Sequence, residues 1–168
     1  MAQDYYDEDS VVSNKDFLKV AQEELKRVEH QVYVTLKYTR TVDVLLNVQN
    51  RMIAAYVALI DSLLILEDKD IVLKQISVLE KVAKINTIYT EPPVKENMDI
   101  YLLIRQIVKA KNITKASEYR RPVNLKTIIN GEEIEINIDV VTHYYAILMS
   151  FYKYVELLFR DKEVVEDQ

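Results

Sequence analysis

Cysteine and tryptophan are absent from this chain, and glycine occurs only once in its 168 residues. Without cysteine there are no disulfides, no iron–sulfur ligands, no thiolate zinc site and no thiol nucleophile. A single glycine also excludes the glycine-rich loops that bind phosphates in nucleotide-binding α/β folds. Helices, which need no glycine in their interior, are therefore the expected main structure.

Composition and length indicate one folded domain. Hydrophobic residues make up 49% of the chain and charged residues 29%, which is too apolar for intrinsic disorder. A domain of this size can bury about 68–70% of the surface of its unfolded chain. No stretch has the ~18 consecutive apolar residues of a membrane span, and the first ten residues are acidic where a signal peptide would be basic and then apolar. We therefore expect a cytoplasmic protein that does not contact a membrane.

Acidic residues are concentrated at both ends. Residues 1–12 contain four acids and no lysine or arginine, which predicts a flexible acidic tail. Residues 161–168 predict a second acidic tail. The two ends hold eight of the 27 acidic residues and one of the 22 basic residues, so the net charge of −5 becomes +2 for the single domain predicted at residues 13–160.

Apolar residues at steps of three and four predict a helical bundle of about four to five helices. The pattern runs unbroken to residue 66, and one helix of that length would measure roughly 75 Å. We therefore predict a turn at residues 38–41, with a threonine capping the second helix, although the sequence leaves open whether residues 14–66 form one helix or two. Two further helices are predicted, one after the turn cluster at residues 67–70 and one capped by Asn97.

A β-hairpin is predicted at about residues 123–138, before the last helix. Apolar and polar residues alternate on both sides of Asn130-Gly131, and this pair tolerates the positive φ angles of a type I′ turn. The only glycine of the chain therefore lies where a tight turn needs it. A lone hairpin is marginally stable in water, so we expect its isoleucine face to pack on helices or on another chain.

The last helix, predicted from a cap at Asp139 to about Arg160, is apolar around most of its circumference. Such a helix is buried on several sides, either within its own bundle or between subunits. The chain has 12 tyrosines and three phenylalanines, and tyrosine suits interfaces because an apolar ring carries a polar tip. Packing within the core explains the same residues equally well. The predicted interface residues are Tyr144, Tyr145, Phe151, Tyr152, Tyr154 and Phe159.

Catalytic and metal-binding patterns are not recognisable. A di-iron bundle needs a glutamate three residues before each liganding histidine, and neither His30 nor His143 has one. No nucleophile elbow or paired-carboxylate signature is present. We therefore predict no catalytic residue, no metal and no cofactor, and the alternative of a helical enzyme has no motif to support it.

One internal segment, residues 105–126, is strongly basic. It contains a single acid, Glu118, and one aromatic, Tyr119. Basic side chains can neutralise phosphates while a base stacks on a neighbouring ring, whereas the ordinary explanation is a set of solvated lysines. The predicted nucleic-acid contacts are Arg105, Lys109, Lys111, Lys115, Tyr119, Arg120, Arg121 and Lys126.

Two functions are consistent with these features. The leading hypothesis is a non-enzymatic helical interaction or scaffold protein, either a homo-oligomer or a small subunit of a larger complex, that uses the last helix. The alternative is a nucleic-acid-binding accessory factor that uses residues 105–126.

Overall fold

In the computed structural model of the chain, residues 14–166 are described, with side chains from residue 16 to residue 162. This part folds into five α-helices and a three-stranded antiparallel sheet placed before the last helix, which confirms the predicted mainly α bundle. The predicted tail at residues 1–12 lies outside the described residues. The helices are α1 Asn14–His30, α2 Val42–Glu67, α3 Val78–Ile88, α4 Pro92–Lys109 and α5 Ile138–Glu166; the strands are β1 Thr114–Ala116, β2 Asn124–Ile129 and β3 Glu132–Asn137.

The break between the first two helices lies where the sequence predicts it. After α1 the chain continues through a π-helical turn, Gln31–Thr35, and one short helical turn that ends at Tyr38. Thr41 then caps α2, since its hydroxyl accepts a hydrogen bond of 3.2 Å from the Val44 N–H. Residues 14–66 are therefore two helices joined by a tight turn.

Helix α2 is the centre of the bundle and packs against the other four helices. It is long and apolar enough to cross a membrane by length and composition, with a mean hydropathy of 1.3 over its most apolar stretch. In this fold 67% of that stretch is buried inside the domain, as is typical of the core helix of a globular protein.

Helix α3 starts later than predicted. The turn cluster at residues 67–70 does not cap it; a loop with a short 3₁₀ turn at Leu73–Gln75 comes first. Ser77 caps α3, because its hydroxyl accepts a hydrogen bond of 3.2 Å from the Glu80 N–H. Serine followed by glutamate three residues later is itself a capping-box pattern, and this second signal is the one that the fold uses.

Helix α4 starts earlier than predicted. It begins at Pro92 and Pro93. Proline has no backbone N–H, but the N–H groups of the first helical turn have no partner within the helix, so proline is tolerated there. Asn97 is therefore inside the helix and fully buried, not a cap. Its amide donates to the Pro93 carbonyl at 2.9 Å.

The predicted hairpin is confirmed as β2 and β3. Asn130 and Gly131 have φ angles of 52° and 81°, as a type I′ turn requires. The inward face of the hairpin includes Leu125 and Ile136, which are fully buried against α4 and α5. Strand β1, which the sequence analysis does not predict, pairs with the other edge of β2.

Helix α5 is capped by Asn137, not by the predicted Asp139. The Val140 N–H donates to Asn137 Oδ1 at 2.9 Å. The helix continues past Arg160 to Glu166, so most of the residues predicted as a C-terminal tail are helical. One face of the helix lies in the core; it consists of Val141, Leu148, Phe151 and Val155.

Candidate nucleic-acid interface

The basic segment folds against the turn between α1 and α2. The Tyr119 N–H donates to the Arg40 carbonyl at 2.7 Å, and the Val42 N–H donates to Glu118 Oε2 at 3.1 Å. These two bonds join parts of the chain that are more than 70 residues apart. They hold the loop that carries Tyr119 against the turn between α1 and α2. The exposed part of these two segments is here called the tip surface; its members are Tyr38 and Arg40 of the turn and Tyr119, Arg120 and Arg121 of the loop.

The loop that carries Tyr119 has an unusual backbone. Ser117 and Tyr119 have φ angles of 54° and 66°, a left-handed conformation that residues other than glycine seldom adopt. The Arg120 N–H donates to the Ser117 carbonyl at 3.1 Å, and the Val123 N–H donates to the Arg120 carbonyl at 3.0 Å. Val123 is fully buried and anchors the end of the loop. Strained backbone held by its surroundings is common at binding sites.

Two tyrosine rings of the tip surface lie in solvent. Tyr38 is 84% exposed and Tyr119 is 80% exposed, and no other large hydrophobic side chain among the described residues is as exposed. A tyrosine usually covers its ring with its own protein, because the ring is apolar. Exposed rings beside cations are the arrangement on which unpaired bases stack.

Two acidic side chains near the tip surface are hydrogen-bonded or ion-paired within the domain. Glu118, the single acid of the basic segment, faces the N-terminus of α2, where the helix dipole favours a negative charge. Asp43 is paired with Lys115 at 3.3 Å. Arg120 and Arg121 are exposed and form no ion pair with any described residue. The local charge presented to solvent is therefore positive.

Four of the other predicted contacts lie on other parts of the fold, whereas Lys115 pairs with Asp43 at the start of α2. Arg105 is half-buried on α4, with its guanidinium 5.6 Å from the centre of the Tyr101 ring; it packs within the domain and is not an open phosphate ligand. Lys109 is exposed at the end of α4. Lys111 and Lys126 line a separate pocket of about 450 Å³ beside β2. The basic segment is therefore continuous in sequence, but its side chains lie in three separate parts of the fold.

Sequence reasoning misses Tyr38 and Arg40. Both lie in the turn that the sequence predicts, but nothing in the local pattern indicates that this turn meets Tyr119. Arg40 is also fixed by its own turn, since its Nε donates to the Leu36 carbonyl at 3.2 Å. A long-range backbone contact of this kind leaves no periodic signal in the chain.

Of the predicted interface residues on α5, Phe151 is wrong as a surface residue. It is fully buried, and its ring centre lies 6.0 Å from that of Tyr56. The apolar pattern that suggested an interface at this position is core packing. The other five are half-buried and cover the bundle: Tyr144, Tyr145, Tyr152, Tyr154 and Phe159.

Several α5 tyrosines are hydrogen-bonded within the domain. The Tyr152 hydroxyl donates to Glu156 at 3.0 Å, and the Tyr154 hydroxyl donates to Glu91 at 2.9 Å. Burial, together with the hydrogen bond to Glu91, raises the pKa of Tyr154 to about 12. These phenols are therefore protonated donors at neutral pH, and the domain itself supplies their acceptors.

No group of three or more metal-ligating side chains comes together within the part of the chain that the structure describes. His30 and His143 are both exposed. Asp61 is buried and pairs with Lys81, 2.8 Å away, between α2 and α3. Burial raises the pKa of Asp61, although the hydrogen bond and charge of Lys81 act in the opposite direction.

Comparison of the chain with protein-family models, curated proteins and solved structures gives no match.

Proposed function

We propose that this chain is a non-enzymatic nucleic-acid-binding protein that holds single-stranded RNA or DNA at the tip surface. The observation that carries this proposal is the pair of solvent-exposed rings, Tyr38 and Tyr119, on two joined segments, one of which also carries two arginines without ion-pair partners in the described structure. Arginine binds phosphate with a planar fork of donors. A base that stacks on an exposed ring contributes about 1–3 kcal/mol.

A single strand fits this surface better than a duplex. Bases in a duplex are already stacked on one another, so exposed rings gain little from them. The strained, hydrogen-bonded loop holds the Tyr119 backbone in place before a ligand arrives, which reduces the entropy lost on binding. A surface of this size contacts a few nucleotides, and we expect modest affinity that depends strongly on salt.

The direct test is fluorescence anisotropy with a labelled single-stranded oligonucleotide and the matching duplex, measured at low salt. In the double variant Arg120→Ala/Arg121→Ala we expect affinity to fall on the order of tenfold or more, because two phosphate contacts are lost. The matched control is Lys84→Ala/Lys153→Ala, which removes the same charge from exposed helix positions elsewhere. We expect the control to stay within about twofold of the wild type, since any loss of positive charge slightly weakens binding.

Absence of binding to either oligonucleotide at low salt contradicts this function. Equal losses in the arginine variant and the lysine control also contradict it, because binding would then follow net charge and not the tip surface.

Self-association is the second candidate, and a different observation favours it. Tyr33 and Val34 lie on the π-helical turn and are 49% and 41% exposed. The Tyr33 ring meets the Tyr145 ring of α5 edge-on, with 6.1 Å between their centres. Such π-helical turns are frequent at functional sites. An apolar patch that joins α1 to α5 would suit a second copy of the chain or a protein partner.

Light scattering over a range of protein concentrations tests the second candidate. We expect a dimer or larger species in the wild type and a monomer in Tyr33→Lys. Leu79→Lys is the control, because Leu79 is 70% exposed on α3 and lies outside this patch. A wild type that stays monomeric at every concentration excludes self-association.

A further inference from the structure

A second basic cluster lies away from the tip surface, between α1 and α2. A shallow pocket of about 430 Å³ is lined by Lys26, Arg27, His30, Gln31, Thr35 and Arg51. Three of these six side chains are cations and a fourth, the histidine, can become one. No acidic side chain lines the pocket.

The two arginines of the pocket are held by one buried carboxylate. Glu24 is only 2% exposed, and its Oε1 accepts a hydrogen bond of 2.8 Å from the Arg27 guanidinium. Its Oε2 lies 3.6 Å from the Arg51 guanidinium of the facing helix, an ion-pair distance, and makes no hydrogen bond with a described residue. Guanidinium groups from two helices therefore converge on the same carboxylate. A fork of donors that is fixed in advance loses less entropy when it binds an anion.

An ion pair between helices explains Glu24 and the arginines, but not the rest of the wall. Lys26 is exposed and forms no ion pair with a described residue, although it lies next to two like charges. Gln31 Oε1 is buried and has no hydrogen-bond partner, and an unpaired buried acceptor costs about 1–3 kcal/mol. A ligand with negative oxygens would pair with the cations that line this pocket.

We propose that this pocket binds a phosphate group. A phosphate oxygen accepts from arginine and lysine donors, and Lys26, Arg27 and Arg51 supply such donors in this pocket. The volume lies within the range of about 300–1,000 Å³ that is typical of small-molecule sites. The group belongs either to a phosphorylated small molecule or to the backbone of a nucleic-acid strand.

The proposal is independent of the tip surface, because it shares no residue with that surface. Chemical shifts of backbone amides in ¹⁵N-labelled protein are the readout, with inorganic phosphate, adenosine monophosphate and a short single-stranded oligonucleotide as separate probes at constant ionic strength. We expect saturable shifts at the amides near Lys26, His30 and Arg51. Shifts with the small probes identify a phosphorylated small molecule, and shifts with the oligonucleotide alone identify a strand.

Two variants make the test specific. Lys26→Gln removes a cation that no ion pair of the described fold uses, and Arg51→Gln removes one arginine of the converging pair. We expect each to weaken binding on the order of tenfold, as one charged contact to phosphate would. Lys19→Gln is the control, since Lys19 is exposed on the same helix outside the pocket. The absence of saturable shifts with all three probes overturns the proposal, and so do shifts that are the same in Lys26→Gln and Lys19→Gln.

Discussion

Tyr56 is fully buried, and its hydroxyl donates to Asn97 Oδ1 at 2.7 Å. The Asn97 amide in turn donates to the Pro93 carbonyl. Rings of Tyr101 and Phe151 surround the phenol, with centres 5.4 Å and 6.0 Å from its own. Burial raises the pKa of Tyr56 well above its ordinary value, so the hydroxyl stays a donor. One polar chain therefore connects α2 to the first turns of α4 inside an apolar core.

Removal of this hydroxyl should destabilise the domain. In Tyr56→Phe, Asn97 Oδ1 remains buried without a donor, and we expect a loss of about 1–3 kcal/mol in the free energy of unfolding. Urea denaturation measures the loss. Tyr144→Phe is the control, because Tyr144 is half-buried and its hydroxyl makes no hydrogen bond with a described residue. Equal stabilities of the two variants would contradict this role of the Tyr56 hydroxyl.

Asp61 makes the stability of the domain depend on pH, and the direction of its pKa shift gives the sign of this dependence. Because burial raises its pKa in the folded state above 3.8, the folded protein binds this proton more tightly than the unfolded chain does. The contribution of this group to stability is present below the unfolded pKa, and it is lost as the pH rises through the folded pKa.

We therefore expect wild type to lose free energy of unfolding relative to Asp61→Asn as the pH rises from about 4 to 7, a range that lies above the ordinary pKa of aspartate. Urea denaturation at several pH values measures the difference. Asp99→Asn is the control, because Asp99 is 64% exposed. A difference that grows in favour of the wild type would show that the charge of Lys81 outweighs burial.

At the scale of elements, the sequence correctly predicts the boundaries that are set by a local cap or a local turn. The turn between α1 and α2 follows from a threonine cap, and the hairpin follows from Asn130-Gly131. Both signals act over a few residues and have no strong competitor nearby.

Boundaries with two competing signals are predicted wrongly. Ser77 replaces the acidic cluster at residues 67–70 as the cap of α3, Pro92 opens α4 upstream of Asn97, and Asn137 caps α5 in place of Asp139. In each case two plausible caps lie within a few residues or turns, and tertiary packing selects one. Strand β1 has three residues and exists only because β2 offers it an edge.

The loop that carries Tyr119 depends on Glu118. The carboxylate accepts from the first turn of α2, so it caps that helix and fixes the loop together. In Glu118→Ala we expect a loss of about 1 kcal/mol in stability, which is typical of a lost cap. We also expect faster hydrogen exchange at the Val42 and Tyr119 amides. Glu132→Ala, at an exposed position of β3, is the control, and identical exchange in both variants would show that Glu118 does not hold the loop.

At the scale of the whole molecule, residues distant in sequence determine the candidate site. The basic run at residues 105–126 is visible in the chain, but the fold separates it into three places. It combines one of them with Tyr38 and Arg40, which lie about 80 residues before Tyr119 in the sequence. Composition therefore identifies the kind of surface, while only the tertiary fold identifies its members.

The tertiary fold also decides which of the described tyrosines are buried and which are exposed. Those of α5 lie half-buried against their own bundle, so their own domain already covers part of each ring. Among the described residues, the two most exposed rings, Tyr38 and Tyr119, belong to the tip surface and not to the last helix. We therefore regard binding at the tip surface as better supported than an interface built on α5.

The salt dependence of single-strand binding tests this account most directly. We predict that the logarithm of the association constant falls linearly with the logarithm of the salt concentration, with a slope of about −0.7 for each phosphate neutralised. In Arg120→Ala/Arg121→Ala the slope should become less steep by about 1.4, because two such contacts are lost. An affinity that does not change with salt, or a slope that is the same in the variant, would contradict the account.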